Sequence, residues 1–227
     1  MAVYNIAIDG PAGAGKSTIA KLAAKKLGFI YVDTGAMYRA LALYFIRKGI
    51  QAEETEKLAE ALKEADVSIR YEAGEQIVLL NGENVNAYIR TEEVGKMTSV
   101  TSALAMVREK LLELQRKLAT EQSVLMDGRD IGTTVLPDAD LKIYLTADAG
   151  VRAERRYKEL VARGESCDRM QIERDIILRD QQDMSRAVSP LRKAEDAILV
   201  DASFLTIDEV TEKILSLFEE AKKQKGK

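Results

Sequence analysis

The chain has 227 residues, of which 46% are hydrophobic and 31% charged, and its 34 basic and 37 acidic side chains give a net charge of -3. This composition is typical of a globular protein. The slight acidic excess is unlike that of a dedicated nucleic-acid binder. The lack of histidine and the single cysteine, Cys167, exclude Ser-His-Asp and Cys-His catalysis, His-ligated metals and Cys-rich zinc sites. Because no apolar run approaches ~20 residues and the start lacks a basic leader, we expect a soluble cytoplasmic protein.

The first part of the chain alternates between strand-like and helix-like segments. Apolar runs predict strands over Val3–Ile8 and Phe29–Val32. Helical spacing predicts a helix that ends at Gly28, followed by helices over Tyr38–Lys48 and Thr55–Ala65. This alternation indicates βαβ units and a parallel sheet.

The middle of the chain has a different pattern. Short β-like segments flank Asn81-Gly82, a strong hairpin signal, and predict an antiparallel patch over residues 66–90. Helical spacing resumes near Val107. The remaining predicted elements are strands over Val124–Asp127, Leu141–Leu145 and Ile198–Asp201, charged helices over Asp148–Arg163 and Asp168–Ser185, and an amphipathic closing helix around Val210–Phe218.

A phosphate-binding loop follows the first predicted strand. The segment from Gly10 to Ser17 fits G-x-x-x-x-G-K-[ST] at every fixed position and precedes a predicted helix. In such a loop the backbone amides surround phosphate oxygens, Lys16 reaches the β- and γ-phosphates, and the Ser17 hydroxyl binds Mg²⁺. We therefore predict ATP binding by the following residues: Gly10, Pro11, Ala12, Gly13, Ala14, Gly15, Lys16, Ser17 and Thr18.

Two further polar segments follow predicted strands. Asp33–Arg39 follows the second strand and Asp127–Asp130 the third. Ligands bind beyond the carboxyl ends of parallel strands, so we expect both segments to face the same crevice as the loop. Arg39 and Arg129 suit an anionic acceptor, because a guanidinium binds phosphate with two hydrogen bonds. The structural alternative is that Asp33 caps a helix and Arg129 pairs with a neighbouring carboxylate.

At this point the sequence resembles the bacterial cytidylate kinases, the CMP/dCMP branch of the nucleoside monophosphate kinases. The resemblance covers nearly the whole chain. It rests on IDGPAGAGKST at 8–18, DTGAMYR at 33–39, IRTEEV at 89–94, VRE at 107–109, DGRDIGT at 127–133 and RDQQDMSRAVSPL at 179–191. The loop motif is common to many families, whereas the other segments in this order are more specific.

The resemblance implies transfer of the γ-phosphoryl group of ATP to CMP or dCMP, giving CDP or dCDP and ADP, with Mg²⁺. It implies an α/β P-loop kinase fold with five parallel core strands, a small antiparallel β-containing insertion that binds the monophosphate, and a helical lid. We expect a single domain with its core at 1–65, 101–150 and 187–221, the insertion at about 66–100 and the lid at about 151–186. We expect a monomer without nucleic-acid or membrane partners.

The resemblance also implies roles for individual residues. Arg39, Arg129 and Arg186 would hold the acceptor phosphate, and Lys16, Arg129 and Arg186 would be catalytic. Ser99, Arg108 and Asp130 would read cytosine. Arg179 and Asp183 would contact the sugar, while Thr34 and Tyr38 would line the acceptor site. Arg156, and with it Arg152, would contact ATP from the lid.

Other functions remain open on the sequence alone. No asparagine is followed by lysine, so the Asn-Lys-x-Asp guanine signature is missing and a GTPase is disfavoured. The alternatives are a P-loop kinase for UMP, AMP or a non-nucleotide acceptor, and an ATP-binding module without turnover. Asp130 favours CMP over UMP, because a carboxylate accepts from the amino group of cytosine but repels the corresponding carbonyl of uracil.

Overall fold

The computed structural model describes residues 2–225. Its elements are, in chain order, β1 (Asn5–Asp9), α1 (Lys16–Leu27), β2 (Ile30–Asp33), α2 (Thr34–Arg47), α3 (Thr55–Glu64), β3 (Val67–Glu72), β4 (Glu75–Leu80), β5 (Glu83–Asn84), α4 (Glu92–Thr101), α5 (Ala105–Glu121), β6 (Val124–Gly128), a π-helical turn (Ile131–Val135), β7 (Leu141–Thr146), α6 (Ala149–Ala162), α7 (Arg169–Met184), β8 (Ile198–Asp201) and α8 (Ile207–Lys225). None of the helices in this range is long and apolar enough to cross a membrane.

The described chain divides into two compact units. The first combines residues up to 31 with those from 123 onward, and the second spans residues 32–122. Each unit has buried apolar side chains of its own.

The first unit is built on the predicted parallel sheet. Its strand order is β2-β6-β1-β7-β8, and β1 pairs in parallel with both β6 and β7. This register places Asp9 of β1 opposite Gly128 of β6, so the phosphate-binding loop and the 127–130 segment leave neighbouring strands at the same end. The predicted fold class is confirmed.

Apolar side chains from the strands and from α1 and α8 form the core of this unit. Strands buried on both faces are nearly continuous in hydrophobic residues, and Ile6, Ile8 and Ile143 are fully or almost fully buried. Ala20 and Ala23 of α1 bring the helix backbone close to the sheet. This packing fixes the loop between β1 and α1 at both of its ends.

The second unit combines helices with a three-stranded antiparallel sheet of order β3-β4-β5. Asn81 and Gly82 connect β4 to β5 with positive φ angles of 49° and 82°, as a two-residue hairpin turn requires. The predicted antiparallel patch is confirmed. Met37, Leu41 and Phe45 of α2 are fully buried in this unit.

Two local features differ from the expectation. Helix α2 begins at Thr34 rather than Tyr38, because the Asp33 side chain accepts the amide of Ala36 at 3.0 Å and caps the helix. The π-helical turn after Asp130 was not predicted from the apolar pattern.

Candidate active site

The phosphate-binding loop passes very close to β7. Gly10 has a φ of 151°, and a Cβ placed on it would lie 1.9 Å from the carbonyl oxygen of Leu145. Gly15 has a left-handed backbone, with a φ of 83°, directly before α1. Glycine is the residue that allows these conformations, and a helix amino terminus attracts anions. The loop therefore has the backbone form of a phosphate cradle.

Lys16 folds back onto this loop. Its Nζ donates to the Pro11 carbonyl at 2.8 Å, and the residue is only 5% exposed. Burial, together with the positive charge of Arg129, lowers the pKa of Lys16 to about 7, although the negative charges of Asp127 and Asp9 act in the opposite direction. A polyanion bound beside Lys16 would supply the negative charge that its ammonium form requires.

Ser17 and Asp127 bring a hydroxyl and a carboxylate together beside the loop. The Ser17 hydroxyl donates to Oδ2 of Asp127 at 2.9 Å, and the Tyr31 hydroxyl donates to Oδ1 at the same distance. Among residues 2–225, no three acidic, cysteine or histidine side chains gather into a metal site. A hydroxyl with one carboxylate fits Mg²⁺, which binds through few protein oxygens and takes its other ligands from water and nucleotide phosphates.

Three arginines gather around the carboxylate of Asp183. Nε of Arg129 donates to Oδ2 at 2.8 Å, and Arg186 pairs with Oδ1. The third, Arg179, is influenced electrostatically by both of those arginines and by Asp183. Nε of Arg179 is buried and has no hydrogen-bond partner in the described chain. This arginine cluster (Arg129, Arg179 and Arg186) thus has three positive charges around one buried negative charge.

The electrostatics of the cluster point to an anion site. Burial opposes the ionisation of Asp183, but Arg129 and Arg186 outweigh it and hold its pKa below the usual value. Burial, together with the charge of Arg129, lowers the pKa of Arg179. Arg129 and Asp183 also act on Lys16, so the cluster lies near the phosphate-binding loop. The excess of positive charge there matches a phosphate group.

Arg152, at the start of α6, ties the loop to α7. Its guanidinium donates to the carbonyls of Ala147 and Ala12 at 2.8 and 2.9 Å, and to Oδ2 of Asp180 at 2.7 Å. The residue is buried. Arg156 is exposed and pairs with Glu159 at 3.2 Å. The two predicted lid arginines therefore have different surroundings.

Asp130 lies between Arg129 and the π-helical turn and is 5% exposed. The first two amides of that turn, at Ile131 and Gly132, are both bound by Asp9. The predicted site did not include Asp9 or Asp180, and it gave Arg152 only a contact with ATP from the lid. The signal for Asp9 was its place as a carboxylate at the end of a buried strand, whereas no pattern along the chain marks the pairing of Arg152 with Asp180.

The second unit holds the other predicted acceptor residues. Thr34, Tyr38 and Arg39 lie on α2, Ser99 on α4 and Arg108 on α5. The guanidinium of Arg108 lies 5.3 Å from the centre of the Tyr38 ring and donates to the Ser102 carbonyl at 3.0 Å.

The second unit also orients Arg39 and Asp33. Arg39 donates to the Ile89 carbonyl at 3.0 Å and lies beside Gly95, where a Cβ would be 3.6 Å from its guanidinium. Asp33 caps α2 and pairs with Arg90, and Arg129 pairs with Asp183, so both structural alternatives to a direct binding role are present in the molecule. For Arg129, the shared carboxylate orients the guanidinium within the arginine cluster.

Comparison with known proteins identifies the family of the chain. The family described as "Cytidylate kinase" matches residues 6–220. "Cytidylate kinase" of Caldicellulosiruptor saccharolyticus is 54% identical over 218 residues, covering 96% of each chain, and that of Lactobacillus johnsonii is 48% identical, covering 99% of this chain and 96% of the relative.

A solved structure supports the fold. A gluconokinase from Sinorhizobium meliloti has a TM-score of 0.50 at 12% identity, covering 96% of this chain and 92% of the gluconokinase. At that identity the likeness concerns the fold alone, whereas the sequence match spans nearly the whole chain. The chain belongs to the cytidylate kinase family.

Proposed function

We propose that this protein transfers the γ-phosphoryl group of ATP to CMP or dCMP, giving CDP or dCDP and ADP. The observation that carries the proposal is the arginine cluster around Asp183, close to the lysine of a phosphate-binding loop. A phosphoryl donor and a phosphorylated acceptor both need positive charge, and these two features supply it within one unit. The family supports a kinase that acts on cytidylate.

The donor side consists of the loop from Gly10 to Thr18. Its amides bind the phosphates of ATP, and Lys16 leaves the Pro11 carbonyl to contact the β- and γ-phosphates. Ser17 and Asp127 would hold Mg²⁺, which would screen the negative charge of the phosphates. Arg156 contacts ATP from a lid formed by residues 151–186, and exclusion of water by such a lid limits ATP hydrolysis.

The acceptor side uses the residues that the family motifs assign to it. Arg39, Arg129 and Arg186 bind the acceptor phosphate, while Arg179 and Asp183 contact the sugar. Ser99, Arg108 and Asp130 read the cytosine, and Thr34 and Tyr38 line the pocket. Support for these roles comes from the motif positions and, for Arg129 and Arg186, from their shared carboxylate.

The reaction does not need the histidine that the chain lacks. An acceptor phosphate is already an anionic nucleophile near neutral pH, so no strong base has to remove a proton from it. Phosphoryl transfer depends mainly on alignment and on charge neutralisation at the transferring group. The arginine cluster provides positive charge for both purposes, and Lys16 adds its own once the bound phosphates favour its ammonium form.

Coupled ADP release with ATP, Mg²⁺ and one monophosphate at a time tests the proposal. CMP and dCMP should support turnover, and UMP should be poorer by at least ~10-fold in kcat/KM, because a site built on hydrogen bonds rejects a base that leaves them unpaired. A better rate with UMP, AMP or a non-nucleotide acceptor would identify a different kinase. ATP binding without acceptor-dependent ADP release would identify a non-catalytic module.

The Lys16→Ala variant tests the loop itself. Loss of its charge should lower kcat by at least ~10³-fold, the scale of a removed transition-state contact. Lys25→Ala is the matched control, since Lys25 is an exposed lysine on the same helix. Equal turnover in the two variants, with both folded by circular dichroism, would remove Lys16 from the mechanism.

A further inference from the structure

Asp9 makes an unusual contact between two strand ends. It is the last residue of β1 and directly precedes the phosphate-binding loop. Its Oδ1 accepts the amide of Ile131 and its Oδ2 the amide of Gly132, each at 2.7 Å. The residue is 5% exposed. One buried carboxylate thus binds two consecutive amides of another segment.

Those amides open the π-helical turn that follows Asp130. The first amides of a helical segment have no partner within it, so a side chain or water must satisfy them. Asp9 supplies both acceptors from a different strand, while the amides of Thr134 and Val135 bind the Asp130 carbonyl at 2.9 and 3.2 Å. Asp9 therefore fixes the point at which this turn begins.

The sheet by itself does not fix that point. Ladder pairing between β1 and β6 ends with Asp9 opposite Gly128, so Arg129 and Asp130 lie beyond the last paired residue. Gly132 has little free space, because a Cβ there would lie 3.2 Å from Cδ of Lys142 and 3.4 Å from Oδ2 of Asp9. The contact with Asp9 and this tight packing hold the turn in one position.

The energetics indicate a role beyond filling space. An isolated buried carboxylate is costly, and a neutral hydroxyl or amide satisfies a helix amino terminus at lower cost. Asp9 lies close enough to Lys16 in the loop and to Asp130, just before the turn, to interact with both electrostatically. It is thus the side chain that connects the phosphate-binding loop to the residue assigned to cytosine.

We propose that Asp9 is a positioning residue for acceptor selection, because it holds Asp130 in register with the phosphate-binding loop. This inference rests on the proposed function. A carboxylate that reads a base must be held within a fraction of an ångström, since a displacement of about 1 Å can lower a rate on the order of 10²-fold. Asp9 itself touches neither nucleotide.

The Asp9→Asn variant tests this role. Its side chain keeps one acceptor oxygen, so one of the two amide contacts is lost. We expect the ratio of kcat/KM for CMP to that for UMP to fall by about tenfold, with a higher KM for CMP and a KM for ATP changed by less than about twofold. A purely structural role would lower stability and leave this ratio unchanged.

Asp140→Asn is the matched control. Oδ2 of Asp140 accepts the amide of Asn5 at 2.7 Å, the same kind of contact at the opposite end of β1. This variant should keep the wild-type ratio. If Asp9→Asn is insoluble, Gly132→Ala replaces it, because the added Cβ would lie 3.2 Å from Cδ of Lys142 and 3.4 Å from Oδ2 of Asp9 and so crowds the contact between the carboxylate and the turn.

The outcomes separate the two proposals. Wild-type protein that does not phosphorylate CMP contradicts the proposed function. If the wild-type protein prefers CMP and a folded Asp9→Asn or Gly132→Ala variant keeps the same preference, the role proposed for Asp9 is overturned and the proposed function stands. An equal rise in the KM values for ATP and CMP in the variant also overturns it, since the defect would then lie in the loop.

Discussion

At the scale of single residues, the chemistry depends on how charges share partners. Asp183 is a common counter-ion for Arg129 and Arg186 and lowers the repulsion between them. Because it is buried, its removal would leave positive charges with little solvent to screen them. The free protein and its phosphate-bound form should therefore respond differently to loss of this carboxylate.

The Asp183→Asn variant should be destabilised by about 3 kcal/mol, the usual cost of breaking a buried ion pair. Inorganic phosphate should restore more of the melting temperature in this variant than in the wild type, because a bound anion replaces the missing charge. Thermal unfolding with and without phosphate measures both effects. The control is Glu83→Gln, which breaks an exposed ion pair with Arg47 and should leave the melting temperature unchanged. A similar loss of stability in the two variants would contradict the prediction.

Asp9 should also make stability depend on pH. Burial raises its pKa from 3.8 to about 6, although the hydrogen bonds from the Gly132 and Ile131 amides act in the opposite direction. Its charged or titratable neighbours are Lys16, Asp130 and Tyr144. The folded state therefore takes up this proton before the unfolded state does, so the stability that Asp9 contributes rises as the pH falls through about 6.

The check is urea unfolding of wild type and Asp9→Asn at about pH 7.5 and about pH 5. The difference in unfolding free energy, wild type minus variant, should be more positive at the lower pH. A difference that is constant, or that changes in the opposite direction, would show that Asp9 keeps an ordinary pKa.

At the scale of helices and strands, the apolar patterns predicted most elements but missed the early start of α2 and the π-helical turn. The strand from Val124 and the helix ending at Gly28 follow from apolar spacing and a terminating glycine. The early start of α2 depends on the Asp33 cap, and the π-helical turn depends on Asp9, which is 122 residues from Ile131 along the chain. The spacing of apolar residues within a segment carries no information about the side chains that bind the amides at its start.

The same limit applies to the candidate site. The fixed positions of the loop motif identified Lys16 and Ser17, and the arginines of the later motifs were named individually. Their grouping around Asp183 required the fold, because Arg129 and Asp183 are 54 residues apart. The three-way contact of Arg152 was also beyond sequence reasoning.

Arg152 allows a prediction for α6. In the Arg152→Lys variant one ammonium group cannot reproduce the contacts with Ala12, Ala147 and Asp180, so stability should fall by about 2 kcal/mol. The KM for ATP should rise, since the Ala12 carbonyl in the loop loses its partner. Arg156→Lys, at an exposed position on the same helix, is the control and should unfold like the wild type. Equal melting temperatures for both variants would mean that Arg152 does not secure the loop.

At the scale of the whole molecule, the chain combines two compact units of different construction. The first depends on a parallel sheet whose strands are buried on both faces, and the second on helices with a small antiparallel sheet. The sequence predicted both sheets. The second unit begins at residue 32, inside β2, where no change of composition marks a boundary.

The close approach of Gly10 to Leu145 limits how this protein can evolve. Any side chain at position 10 would overlap the backbone oxygen of β7, which cannot rotate away as a side chain can. In a library that carries all twenty amino acids at this codon, a screen for kinase activity should recover glycine alone, while Ala12, whose side chain is partly exposed, should accept several replacements. Recovery of alanine at position 10 at wild-type frequency would show that the two strands can separate at little cost.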